Sequence, residues 1–173
     1  MPQQLVGPDL TIPAYRTILT VYHRYYTAIE PAIEHCLAAA GSPFDYVERR
    51  KRPWLEQDLA RFGGSPPPVP LPPAVHLLTR LSSLGEAIGV LYAIEGSTLG
   101  GQVISRHVGR SLQVDADSGG RFFTGYGAET EARWLQFCQF AEQIAGAPAE
   151  LQAALRAAER AFTAMEQSFD AQH

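Results

Sequence analysis

Residues 85–101 read GEAIGVLYAIEGSTLGG, with Gly85, Gly89, Ala93, Gly96 and Gly100 recurring at steps of four, four, three and four. That spacing lines small residues along one face of an α-helix. A glycine inside a helix costs about 1 kcal/mol relative to alanine. Four glycines in one stripe, with Gly101 beside them, are therefore unfavourable unless something must approach the backbone closely. A second helix would satisfy that requirement, and so would a flat ligand.

Outward from this segment the chain reads as helices throughout. A long helix covers residues 82–112, bent at its glycines. Upstream, Asp9 or Thr11 caps a helix with Pro13 in its first turn, and apolar residues keep a helical period over residues 15–40 until Gly41-Ser42-Pro43 stops it. A shorter helix spans residues 44–62, interrupted near Pro53, and residues 66–73, almost all proline, form an extended connector. Beyond the turn-rich residues 115–120, the aromatic group Phe122-Phe123-Thr124-Gly125-Tyr126-Gly127 leads into helices over residues 128–144 and 148–169. No alternating strand pattern of useful length occurs, so the expected fold is all-α.

The chain has 173 residues with 46% hydrophobic content, which suits a single domain with its own core. A net charge of −4 gives no global attraction to nucleic acid or to an anionic membrane. The one basic run, Glu48-Arg49-Arg50-Lys51-Arg52, reads as a solvated helix end. Cys36 and Cys138 share no metal-ligand spacing, and Cys138 reads as a small apolar residue in an aromatic helix. No uninterrupted apolar run approaches the roughly 18 residues of a membrane span, and no signal peptide opens the chain. The expectation is a cytoplasmic protein.

Several chemistries are poorly supported. A di-iron carboxylate bundle needs paired Glu-x-x-His motifs, and the sequence contains none. Neither Ser97 nor either cysteine stands in a motif that marks an activated nucleophile, which also disfavours a thiaminase-like hydrolase. The histidines, His23, His35, His76, His107 and His173, are not paired at ligand spacing. His107 falls seven positions past Gly100 and so can approach the same helical face, though a surface role suits it better.

The segment from Gly89 to Ile104 closely resembles the distal helix of bacterial haem oxygenases, in particular the biliverdin-producing type associated with bacteriophytochromes. Tyr15-Arg16 with Leu19, Glu30-Pro31, the stretch from Arg50-Lys51 to Asp58-Leu59, the aromatic group at residues 122–127 with Trp134, and Phe162 with Glu166 match family counterparts in order and spacing. The resemblance implies a helical fold in which haem lies between a proximal helix and a glycine-kinked distal helix. Gly96, Gly100 and Gly101 would pass over the haem face, leaving the Gly85 to Ala93 half of the stripe to ordinary helix packing. It also implies conversion of haem to biliverdin, iron and CO, with electrons from an external reductase or ferredoxin and a bacteriophytochrome as a possible recipient of the product.

Two departures accompany the resemblance. Many family members carry an aspartate after the first distal glycine to hold a water network; here Ser97 occupies the position, as in the phytochrome-associated branch, and is the candidate catalytic residue. Family members also open with a Thr-Arg-x-x-His helix that supplies the proximal iron ligand, and none of the five histidines aligns with it, leaving the metal ligand unassigned. Three arrangements remain open: an upstream segment that brings the ligand, a non-catalytic tetrapyrrole-binding or partner-binding protein, or a substitute histidine. Arg133 is the candidate propionate anchor, with a surface salt bridge as its equal alternative. Tyr92 and Arg106 are candidates for the distal network.

Overall fold

The computed structural model describes residues 5, 7, 9–64 and 71–170, and among these there is no strand. Helix α1 (Ile12–Ala39) begins where Thr11 accepts a hydrogen bond from the Ala14 amide and Pro13 occupies the first turn, and Gly41 follows its end with φ +61°. A 3-10 turn (Val47–Arg49) precedes α2 (Arg52–Arg61), with Pro53 at its start rather than its middle. The expected proline connector lies mostly outside the described residues, and its last proline instead opens a short helix, α3 (Pro73–Leu78). Proline fits there because the first turn leaves its amides unpaired.

The glycine-bearing segment is one uninterrupted helix, α4 (Leu84–Leu112). Ser83 caps it by accepting from the Glu86 amide, and Glu86 reaches back to the Ser82 amide at 2.7 Å. Its last turn closes with Gln113 in the left-handed region, φ 57°. A single turn, α5 (Arg121–Thr124), and a 3-10 turn (Gly127–Glu129) lead into α6 (Thr130–Ala145) and α7 (Pro148–Asp170).

Helix α4 is the centre of the fold, packed on α7 most extensively and then on α6, α1 and α5. The core gathers Tyr15, Leu19, Ile29 and Ile33 of α1, Leu55 and Leu59 of α2, Val90, Leu91 and Ile94 of α4, and Phe137 of α6. Helix α4 has the length and composition of a membrane-crossing helix, yet 56% of its most apolar window is buried within the fold, as expected of a central core helix. Helix α7 contributes alanines, Ala154, Ala157, Ala161 and Ala164, so it can approach closely.

That approach explains half of the glycine stripe. A Cβ on Gly85 would strike the backbone of Glu150, and one on Gly89 would strike the Ala154 carbonyl and the Ala157 methyl. The Gly85 amide also donates to the Glu150 carboxylate. The partner of this half is a helix.

Candidate functional site

Past Ala93 the same stripe loses its helical neighbour. A Cβ on Gly96 would meet only the Trp134 ring, at 3.6 Å, and one on Gly100 would meet nothing within 4 Å. Gly101 faces the other way, buried, where a Cβ would come to 3.0 Å from the Phe123 carbonyl. Flanking the bare backbone of Gly96 and Gly100 on the same face are Tyr92, Leu99 and Val103, which are 51%, 43% and 58% exposed. Helical geometry places residues 92, 96, 99, 100 and 103 within one stripe. An apolar patch built around naked backbone is what a flat apolar molecule needs to lie flush on a helix.

Beside this face are two cavities that share a wall. One, of about 220 Å³, lies between α1, α4 and α7, with Tyr25, Ala93, Ile94, Phe162 and Met165 in its lining. The other, about 50 Å³, is bounded by Lys51, Thr98, Gly101, Phe122 and Phe123. Tyr22, Tyr26 and Ser97 line both. Neither reaches the roughly 300–1,000 Å³ of a pocket that encloses a small molecule, so both are minor recesses at the margin of the open face of α4. Ser97 stands at that margin, exposed, its hydroxyl donating to the Ile94 carbonyl at 2.7 Å. The tyrosines are held neutral: burial pushes the Tyr22 phenol up to about 12 and raises Tyr26 well above 10.

Behind the face, α4 carries a buried ionic cluster. Glu95 is fully buried and takes a hydrogen bond from Arg49 Nη1 at 2.7 Å and another from Lys51 Nζ at 2.7 Å. Lys51 also donates to the Arg49 carbonyl at 2.7 Å and to the Tyr126 hydroxyl at 2.6 Å, and Tyr126 donates to Glu95 at 3.0 Å. Burial lowers the Lys51 pKa, with Glu95 opposing the shift. Burial also raises Tyr126, reinforced by the Glu95 charge. Glu30, a second buried acid, accepts from the Lys51 amide at 2.6 Å and from the Tyr46 hydroxyl at 3.3 Å.

The basic run is therefore corrected. Its expected solvation holds for Glu48, and Arg50 and Arg52 are half-buried, but Arg49 and Lys51 are 3% and 1% exposed. They fold inward because Glu95 would otherwise be a lone buried charge. Glu95 was overlooked as a site residue, although the sequence carries a signal. It is the single charged residue between Glu86 and Arg106, in an apolar stretch that demands a cation from elsewhere in the chain.

The remaining candidates are dispersed. Arg133 pairs with Glu129 at 3.4 Å and Glu48 at 3.5 Å and lies over the Tyr126 ring. Tyr92 packs its ring against Trp134, centroids 5.7 Å apart. Arg106 lies beside a shallow surface depression with Gln102, Ser105 and Thr124. His23 stands 3.7 Å from Glu56, and His107 Nε2 contacts the Gly7 carbonyl at 3.1 Å. His35 and His76 are exposed, and His173 lies outside the described residues. None of the described histidines lines either cavity beside Ser97. No group of three or more potential metal-binding side chains occurs among the described residues.

No solved structure matches the chain. A protein of Xanthomonas campestris pv. campestris (strain 8004), a heme oxygenase, is 33% identical over 144 residues, which cover 83% of this chain and 81% of the relative. The family model described as Heme oxygenase matches residues 2–171. With an all-helical fold, bare backbone exposed on the central helix and a match that spans nearly its whole length, the chain belongs to the haem oxygenase family.

Proposed function

We propose that this family member binds haem across the Gly96 to Gly100 turn of α4 and converts it to biliverdin, iron and CO, with electrons delivered by an external reductase or ferredoxin. The observation that carries the reading is the open space over Gly100, set among apolar side chains that the fold leaves uncovered. Haem supplies the iron at which O₂ is activated and the ring carbon that is attacked.

The chain's own residues supply the surroundings. Gly96 and Gly100 let the backbone approach the ring face, while Tyr92, Leu99 and Val103 exclude water along its edges. Ser97 borders the oxygen side, where its hydroxyl oxygen is free to accept from ordered water. Arg133 anchors a propionate by exchanging one of its two carboxylate partners for it. None of the described histidines lines the cavities beside Ser97, and the iron ligand is unassigned. Glu95-Gly96-Ser97-Thr98 supports the bacteriophytochrome-associated type, with a bacteriophytochrome as the recipient of biliverdin.

Hemin titration into the full-length protein tests the reading. A Soret band with saturable binding is expected, followed by biliverdin absorbance when reductant and O₂ are supplied. Absence of the Soret band defeats it. A second reading, tetrapyrrole binding without turnover, draws on the placement of the described histidines away from the cavities; stable haem binding with no loss of the Soret band under reductant would select it.

A further inference from the structure

A recess that the haem reading leaves unused lies between the end of α3 and α7, lined by His76, Leu77, Thr79, Arg80 and Arg160. Its volume of about 570 Å³ exceeds that of either cavity beside α4 and falls within the range of small-molecule sites. Two arginines and a histidine border one space, with no acid among the described lining residues, in a chain whose net charge is −4. A cleft of one sign focuses its field and concentrates counter-ions.

Packing and capping do not account for these cations. Thr79 closes the carbonyl end of α3, its amide and hydroxyl both donating to the His76 carbonyl, at 3.4 and 2.9 Å. Arg80 is therefore not needed as a cap, and it is exposed with no hydrogen bond or ion pair among the described residues. Arg160 has one acid within range, Glu86, whose Oε1 stands 3.8 Å from its Nη1, beyond hydrogen-bonding distance. The other Glu86 oxygen accepts from the Ser82 amide and hydroxyl at 2.7 and 2.9 Å, which holds this carboxylate at the start of α4. Among the described residues, both guanidinium groups keep their N–H forks unspent.

We propose that this groove binds a small organic anion bearing a multivalent oxyanion group, a phosphate ester or a pair of carboxylates, held between Arg80 and Arg160. A guanidinium presents its donors in a planar fork that matches either group. His76 adds a ring N–H in either protonation state, and Leu77, 61% exposed, gives the organic body an apolar wall. The groove stands apart from the haem reading. At about 100° per residue, Arg160 and Phe162 lie about 200° apart around α7, so the groove and the cavity that Phe162 lines occupy opposite flanks of that helix.

The test is isothermal titration calorimetry of the full-length protein with phenyl phosphate and with phthalate, at ionic strength held constant with NaCl and at two temperatures, so that a heatless association is not missed. Saturable binding of at least one probe is expected, and the tighter of the two separates an ester from a dicarboxylate. Arg80→Ala and Arg160→Ala should each weaken it about tenfold, the loss expected for charge-assisted hydrogen bonds. Both side chains are exposed, so the fold loses little. Glu86→Gln keeps an acceptor for the α4 cap while removing the competing charge, and should tighten binding about threefold. Arg110→Ala, exposed in the last turn of α4 at the opposite end from Glu86, should leave the affinity unchanged. Absence of saturable heat with both probes overturns the proposal. An equal loss in Arg110→Ala overturns it too, because the attraction would then be to charge in general.

Discussion

The Lys51 ammonium lies 2.7 Å from the Glu95 carboxylate with both side chains buried, 1% and 0% exposed. Breaking such a pair leaves a charge stranded in the core, which costs about 3–5 kcal/mol. Glu95→Ala strands two cations and should fall in that range, whereas Lys51→Met leaves Arg49 on Glu95 and should cost less. Urea denaturation of the two variants checks the order. Equal stabilities would show that Arg49 and Lys51 do not share Glu95.

The two ends of the glycine stripe should respond oppositely to a methyl group. Gly89→Ala drives a Cβ into the Ala154 carbonyl and should destabilise by roughly 1–3 kcal/mol, the usual cost of overpacking. Gly100→Ala meets no neighbour within 4 Å and should gain up to about 1 kcal/mol from helix propensity. The same variant should weaken haem binding in a hemin titration. Tighter haem binding by Gly100→Ala would contradict the placement of haem on this face.

Val103→Asp puts a carboxylate at a position that is 58% exposed, where the fold itself has little to lose. Melting temperature should move by no more than a few degrees, since surface changes of this kind are worth within about 0.5 kcal/mol. Haem affinity should fall at least about tenfold, a penalty of roughly 1.4 kcal/mol for forcing charge against an apolar ring. Unchanged affinity would move the haem elsewhere.

Asp58 gives the fold a pH dependence of definite sign. Its carboxylate accepts from the Arg121 and Phe122 amides at 2.8 Å each, so it caps α5, yet burial outweighs those bonds and pushes its pKa up to about 6. A folded pKa above the unfolded value of about 3.9 means the native state holds the extra proton between these limits. This group's contribution to stability is therefore greatest below pH 4 and declines as pH rises to 6, by on the order of 2–3 kcal/mol. Asp58→Asn, which mimics the protonated form, should gain on wild type by that amount between pH 4 and pH 7 in urea melts. A stability difference that is flat with pH would assign the titration to another group.

How much of this was legible from residues alone depended on range. The helical period of α1 and the Thr11 cap are local, and the sequence sufficed for them. The stripe from Gly85 to Gly100 announced a close approach, but its division between a helix partner and an open face depends on where α7 passes, which no local pattern encodes. Arg49 and Lys51 were misread for the same reason. Charge runs are normally solvated, and only the burial of Glu95, 44 residues further on from Lys51, reverses that rule. Pro73 shows the reverse limit: one residue type both extends a connector and starts a helix, and the choice falls to Val75 and Leu78, which are buried.

The contact of Gly85 and Gly89 with α7 also has a mechanical meaning. A substitution there that tilted α4 against α7 would act as a lever does about its fulcrum. Gly100 lies eleven residues beyond Gly89, about 16 Å along the axis at 1.5 Å per residue. A tilt of six degrees, roughly a tenth of a radian, would carry the Gly100 backbone some 1.6 Å sideways. A tilt of that kind would shift the open backbone over Gly100 without changing any residue beside it.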